Sequence, residues 1–233
     1  MSEASEKVAG IRHLPLFPLP LVLLPNELLP LHIFEPRYRQ MLKDVGLEQN
    51  LFGVSYFNPE ESLADKPPVD TIGCVAEVRE IQNLPDGRAN ILSIGVIRYR
   101  LLDYVDTGDP YFVGDVEFFE DDKVEGESVL QPLSDEVFRL FKRVAKAAHK
   151  LSGERGRFPD IPQAEPQALS FLVTAAFNFE PEMKYKMVET RSTVERLERL
   201  REILRQTVGK MEESADIHKI SQTNGHSKKK IDF

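Results

Sequence analysis

Five prolines, at positions 15, 18, 20, 25 and 30, divide the most apolar stretch of the chain. It reads "LPLFPLPLVLLPNELLP" from Leu14 to Pro30, and Asn26 and Glu27 are its only polar residues. A proline inside a helix removes a backbone donor and clashes with the preceding turn. A membrane-spanning helix needs about 20 consecutive apolar residues, so these interruptions exclude one. They also argue against a secretory leader, although Lys7 and Arg12 precede the run. Proline is tolerated at strand ends, bends and sheet edges. The stretch therefore predicts the first strands of a curled sheet in a soluble, cytoplasmic protein.

The next hundred residues support that expectation. In "IGCVAEVREI" (72–81), Ile72, Cys74, Ala76 and Val78 alternate with Val75, Glu77 and Arg79, the period of a strand. "LPDG" (84–87) has proline second and glycine last, as a tight turn requires. "RANILSIGVIRYRLLDY" (88–104) returns as the second strand of a hairpin, with Gly95 marking a bulge or bend. "LFGVSYF" (51–57) and "YFVGDVEFF" (111–119) read as further strands. Short strands, tight turns and few helices imply an antiparallel, barrel-like sheet. One helix interrupts it. Pro36 suits a first helical turn, Glu35 complements the helix dipole and Gly46 is a stop, so "PRYRQMLKDV" (36–45) should be helical.

Beyond an acidic stretch, "EDDKVEGES" (120–128), the apolar period becomes 3.6. In 134–151, Val137, Leu140, Phe141, Val144, Ala145, Ala148 and Leu151 share a helical face, with Ser134 as the expected cap. "PQALSFLVTAAFNF" (166–179) is apolar nearly all round and should be a buried helix. Pro181 opens a short helix, and "STVE" (192–195) forms a capping box for a helix with Val194, Leu197, Leu200, Leu204 and Val208 inward. The expected organisation is α+β: a β-rich subdomain (10–120), an acidic linker (121–133), a helical bundle (134–208) and a disordered tail (209–233).

Three blocks, in order, resemble the amino-terminal substrate-binding domain of the Lon protease family. "LPLFP" with "PNELLPL" matches the proline-containing opening, followed by a helix. "TIGCVAEVREIQNLPDGRANILSIGVIRYRLLD" (71–103) matches the second block, with G-x-x-R-x-R falling on Gly95, Arg98 and Arg100. "AAFNFEPEMKYKMVETRSTVERLERLREIL" (175–204) matches the helical part. The resemblance implies a PUA-like antiparallel pseudo-barrel followed by a helical bundle. It implies a polypeptide-binding role without catalysis. No G-x-x-x-x-G-K-[ST] phosphate loop is encoded, and the protease module with its serine–lysine pair would lie further along than the chain runs. A free-standing LON-type domain is therefore expected, acting on unfolded or extended polypeptide or as an adaptor beside a separate protease or chaperone.

The residues themselves offer no independent chemistry. The carboxylate pairs Glu60–Glu61 and Asp121–Asp122 fall in polar loops. Cys74 reads as a small buried hydrophobe, Ser93 is expected beside Cys74 across the hairpin with no histidine base in register, and His32 sits in an alternating apolar strand. The histidines are scattered and lack zinc-ligand spacing, so neither a metal nor a cofactor is expected. The net charge of −8 disfavours nucleic acid and anionic membranes. An RNA-binding PUA-like module and a small-ligand domain are the alternative readings. The candidate binding residues are Phe34, Glu35, Arg37, Tyr38, Arg98 and Arg100. Arg98 and Glu35 are also candidates for an internal ion pair.

Overall fold

The structure is a computed structural model and describes residues 2–58, 60, 62, 65–122, 127–152 and 158–224. Among these, strands β1 (His13–Leu19), β2 (Leu28–Ile33), β3 (Leu51–Tyr56), β4 (Ile72–Asn83), β5 (Ala89–Val105) and β6 (Phe112–Phe119) form one sheet. Helices α1 (Glu3–Lys7) and α2 (Pro36–Leu47) accompany them, and α3 (Glu127–Leu151), α4 (Pro166–Ala176), α5 (Pro181–Glu189) and α6 (Thr193–Asn224) follow. The α+β class is as expected. No helix among the described residues is long and apolar enough to cross a membrane.

The sheet order is β2-β5-β4-β3-β1-β6, and β5 also pairs with β6. Strands β6, β1, β3, β4 and β5 therefore close into a ring, and β2 hangs from β5 with a free edge. One pairing departs from the antiparallel expectation: β1 runs parallel to β3, with Leu16 opposite Gly53 and Leu19 opposite Tyr56. Parallel strands need a crossover connection, and β2 with α2 supplies it.

β5 can serve three neighbours because it is bent. Its first half, 89–94, lies between β2 and β4, and residues 98–105 pair with β6. Between them the register slips: Cys74 faces Arg98 while Ala76 faces Gly95, which leaves an extra residue on β5. Ser93 lies opposite Val78, and Cys74 faces Arg98, so Ser93 is not beside Cys74 across the hairpin. At the bend, Gly95 exchanges backbone hydrogen bonds with the 24–27 turn: Asn26 N–H donates to Gly95 O (2.8 Å) and Gly95 N–H to Glu27 O (2.9 Å). A Cβ on Gly95 would lie 2.1 Å from the Leu24 carbonyl oxygen. Gly95→Ala is thus expected to destabilise by about 1–3 kcal/mol, the usual range for overpacking. Gly46 is different. It lies within α2 rather than ending it, with only Asn50 Oδ1 at 4.0 Å. Gly46→Ala should stabilise by about 0.5–1 kcal/mol. Urea midpoints of both variants check the pair.

Alternation along β4 gives the barrel two apolar sides. Cys74, Ala76 and Val78 join Phe17, Phe52, Tyr38, Met41 and Val45 in one core cluster. Val75 joins Leu14, Leu16, Tyr99 and Leu101 in another. α2 is amphipathic as expected and buries Tyr38, Met41 and Val45. α1 was not signalled by any apolar period. Ser2 caps it by accepting from Ser5 N–H (3.1 Å), and Lys7 reaches Glu77 at 2.9 Å.

The chain divides into two compact units that are not consecutive in sequence. The first comprises Met1–Lys123 with Phe171–Ser192, and the second Val124–Ser170 with Thr193–Phe233. In the first unit, Phe171 and Val188 bury against Val22, Leu24 and Ile72, so the later part of α4 and all of α5 belong with the barrel. The reason lies in side chains whose partners are in the sheet: the Tyr185 hydroxyl accepts from Ile72 N–H at 3.0 Å.

In the second unit α3 packs along α6. α3 begins at Glu127 and passes through Pro132, ahead of the expected start. Ser134 is consequently inside the helix, fully buried and with its hydroxyl unpartnered, not a cap. The buried stripe is Leu133, Val137, Leu140, Val144 and Ala147, and the predicted Ala148 is exposed. α6 buries Leu197, Leu200, Leu204 and Val208 as expected. It continues past Gly209 to Asn224, where a tail was expected. Residues 123–126 of the expected linker and 225–233 of the tail lie outside the described residues.

Candidate functional site

The proline-punctuated run from the end of β1 onward floors two surface pockets in the first unit. One, of about 510 Å³, lies over Phe17–Pro20 and is walled by Glu35, Arg37 and Tyr38 at the start of α2, by Phe57 and Asn58 after β3, and by Phe112. The other, of about 310 Å³, lies over Pro20–Leu23 and is walled by Leu29 and the 178–184 segment, including Phe179. Pro20 lines both, so they adjoin along one run of chain. The run is held open because Phe17, Leu23 and Leu29 anchor it into the core, while its prolines lack donors for further pairing.

Apolar walls and ionic rims alternate. Tyr38 packs on Phe17 with ring centroids 4.0 Å apart, and the Arg37 guanidinium covers the Tyr38 ring at 4.5 Å. Arg37 is held by Glu35 (2.8 Å), beside the α2 start. Burial raises the Tyr38 phenol above its ordinary range, opposed by Arg37 and reinforced by Glu35, so it stays a neutral donor. In the second pocket Lys184 meets Glu27 at 3.2 Å, and the other Glu27 oxygen accepts from Leu24 N–H at 2.9 Å. Glu60 and Asp65 add negative charge to the first rim, and Glu180 to the second.

Of the predicted site residues, Glu35, Arg37 and Tyr38 meet in the first pocket. Phe34 does not line it; it is 59% exposed and stacks on His32, with centroids 6.0 Å apart, beyond the end of β2. His32 is itself held by Asn90 at 2.7 Å. Arg100 lies elsewhere on β5, 3.7 Å from Asp70. Arg98 is 1% exposed, and its guanidinium is taken up internally. It donates to Asp121, to the Val188 carbonyl (3.0 Å) and to the Thr190 carbonyl (2.8 Å), between the rings of Phe119 and Phe171. The expected pair between Arg98 and Glu35 is not made. Glu35 is taken by Arg37, two residues away, whereas Asp121 reaches Arg98 from the end of β6.

Cys74 is fully buried, and burial pushes its thiol far up, which leaves it unreactive. Among the described residues no three His, Cys, Asp or Glu side chains are grouped to hold a metal ion.

A family model described as the ATP-dependent protease La (LON) substrate-binding domain matches residues 13–206. The chain belongs to this family. The Lon protease of Brevibacillus choshinensis is 28% identical to this LON domain over 201 residues, which is 84% of this chain and 25% of the relative. The Lon protease of Desulforamulus reducens is 26% identical over 82% of this chain and 23% of its own length. The LON domain described here thus spans about a quarter of the Lon proteases it matches. Among solved structures, a Lon N-terminal domain protein from Xanthomonas campestris aligns with a TM-score of 0.59 at 22% identity, covering 82% of this chain and 97% of its own. The N-terminal domain of the Mycobacterium avium complex Lon protease aligns at 0.58 and 18% identity, over 85% of this chain and 98% of its own. These likenesses establish the fold.

Sequence reasoning missed the second pocket of the LON domain. Glu27 interrupts an apolar run, and such an interruption is the one signal that pointed to it. Its partner Lys184 is 157 residues away and nothing local announces the meeting.

Proposed function

We propose that this LON domain is a non-catalytic module that recognises extended or unfolded polypeptide, in a cytoplasmic setting, and presents it to a separate protease or chaperone. The observation that carries this reading is the pair of adjoining pockets over residues 17–23. Their apolar and aromatic walls suit side chains, and a linear run of pockets suits an extended chain better than a compact ligand. The free edge of β2 is a second place for an extended chain, because Leu28 is 60% exposed and points out from it. Family membership supports the polypeptide class of ligand.

Titrating the protein into a fluorescently labelled unfolded polypeptide should give saturable binding. Phe57→Ala, which trims a half-buried pocket wall, should weaken it about tenfold, or about 1.4 kcal/mol. Labelled RNA at low and high salt should give no comparable signal. Salt-sensitive RNA binding without polypeptide binding overturns the proposal. So does hydrolysis of a casein-like substrate on incubation with ATP, which contradicts a non-catalytic role.

A further inference from the structure

We infer that the groove selects among polypeptides, favouring segments in which lysine or arginine is interspersed with apolar residues. This rests on the polypeptide-binding reading and adds a substrate class to it. The two cations lining the groove are already committed, Arg37 to Glu35 and Lys184 to Glu27. The remaining rim charges are negative. Asp65 and Glu180 make no ion pair among the described residues, and the Glu180 side chain does not cap α5. Lys66, which follows Asp65 in the chain, is held over the Tyr104 ring at 4.0 Å and the Phe112 ring at 6.0 Å. An unpaired carboxylate beside apolar walls attracts a cationic side chain and repels an anionic one. That repulsion is the stronger source of discrimination, since juxtaposed like charges cost more than a solvent-exposed ion pair gains. The apolar walls fix where the neighbouring residues go, so charge alone does not satisfy the site.

Three peptides with the same apolar residues, carrying lysine, glutamine or glutamate between them, test this by fluorescence anisotropy. The lysine peptide should bind about tenfold tighter than the glutamine peptide and the glutamate peptide at least as much weaker. The spread should collapse between about 50 and about 300 mM salt as the charges are screened. Asp65→Asn with Glu180→Gln should cut the lysine preference at least about threefold. Glu117→Gln with Glu202→Gln, which removes the same charge from exposed positions outside both pockets, should leave it unchanged. Equal binding of all three peptides overturns the selectivity and leaves polypeptide recognition standing. Failure of all three to bind overturns both. An equal loss of preference in the two double variants assigns it to the overall charge of −8 and overturns the role of the groove.

Discussion

Replacing Arg98 by leucine is expected to cost the fold about 3–5 kcal/mol, the range for breaking a buried ion pair from one side. Three acceptors lose their donor at once: the Asp121 carboxylate and the carbonyls of Val188 and Thr190. The Asp121 side chain is only 7% exposed, so its charge loses a buried guanidinium with little solvent to replace it. The loss is not one of volume, because leucine still fills part of the space between Phe119 and Phe171. Urea denaturation of the single variant and of Arg98→Leu with Asp121→Leu separates the contributions. Removing both charges should recover part of the loss, because the buried carboxylate that lost its guanidinium is then removed as well. A single variant that unfolds within about 1 kcal/mol of the parent contradicts the internal assignment of Arg98 and returns it to the candidates for ligand binding.

Stability should also fall steeply in alkali. Burial raises the Cys74 thiol and the Tyr99 phenol above their ordinary ranges, and both are fully buried. Burial likewise pushes the Tyr104 phenol up to about 12 and raises those of Tyr38, Tyr111 and Tyr185. The folded state therefore keeps protons that the unfolded chain gives up. The sign follows: these groups contribute their full stability below the unfolded values, about 8.5 for the thiol and about 10 for the phenols, and lose it as pH rises beyond them. Each fully buried group costs about 1.4 kcal/mol per pH unit while it is ionised only in the unfolded chain. By pH 11 Cys74 and Tyr99 together should remove about 5 kcal/mol. Urea midpoints at pH 8, 9.5 and 11 measure the fall. Cys74→Ala should flatten the part between pH 8.5 and 10, and an unchanged profile in that variant excludes the thiol as its source.

Local chemistry was legible wherever it decided local structure. The hairpin is closed by Gly87 N–H on Leu84 O (3.0 Å) and Leu84 N–H on Arg88 O (2.8 Å), in the turn that "LPDG" predicts. Pro36 begins α2 and Pro181 begins α5 for the same reason, a missing donor where none is needed. What failed was long-range choice. Arginine at 98 announced a carboxylate partner, but Glu35 and Asp121 are equally acidic in sequence, and only the path of β6 decides between them. Period-two alternation places residues on a face of β1 without saying whether its neighbour runs with or against it. The bulge or bend at Gly95 was expected, yet the register it sets, with Ser93 opposite Val78 and Cys74 opposite Arg98, depends on the pairing of β4. For the site, the start of α2 was legible because charge and aromatics cluster there. The pocket over Pro20–Leu23 was not, because its far wall comes from residues 178–184.

The return of Phe171–Ser192 to the barrel has a consequence for biosynthesis. All six strands have been synthesised by residue 119, yet the acceptors at 188 and 190 for Arg98, and the side chains that cover Val22, Leu24 and Ile72, have not yet been made. A nascent barrel therefore waits with an arginine poorly neutralised and an apolar flank open to solvent. Translation pauses between residues 120 and 170 lengthen that wait, and a fragment cut at residue 123 remains in it permanently. The same flank that matures last lies next to the groove, since Val22 borders the second pocket. A half-made chain thus exposes, beside its own recognition surface, the kind of apolar segment that the finished surface is proposed to grasp.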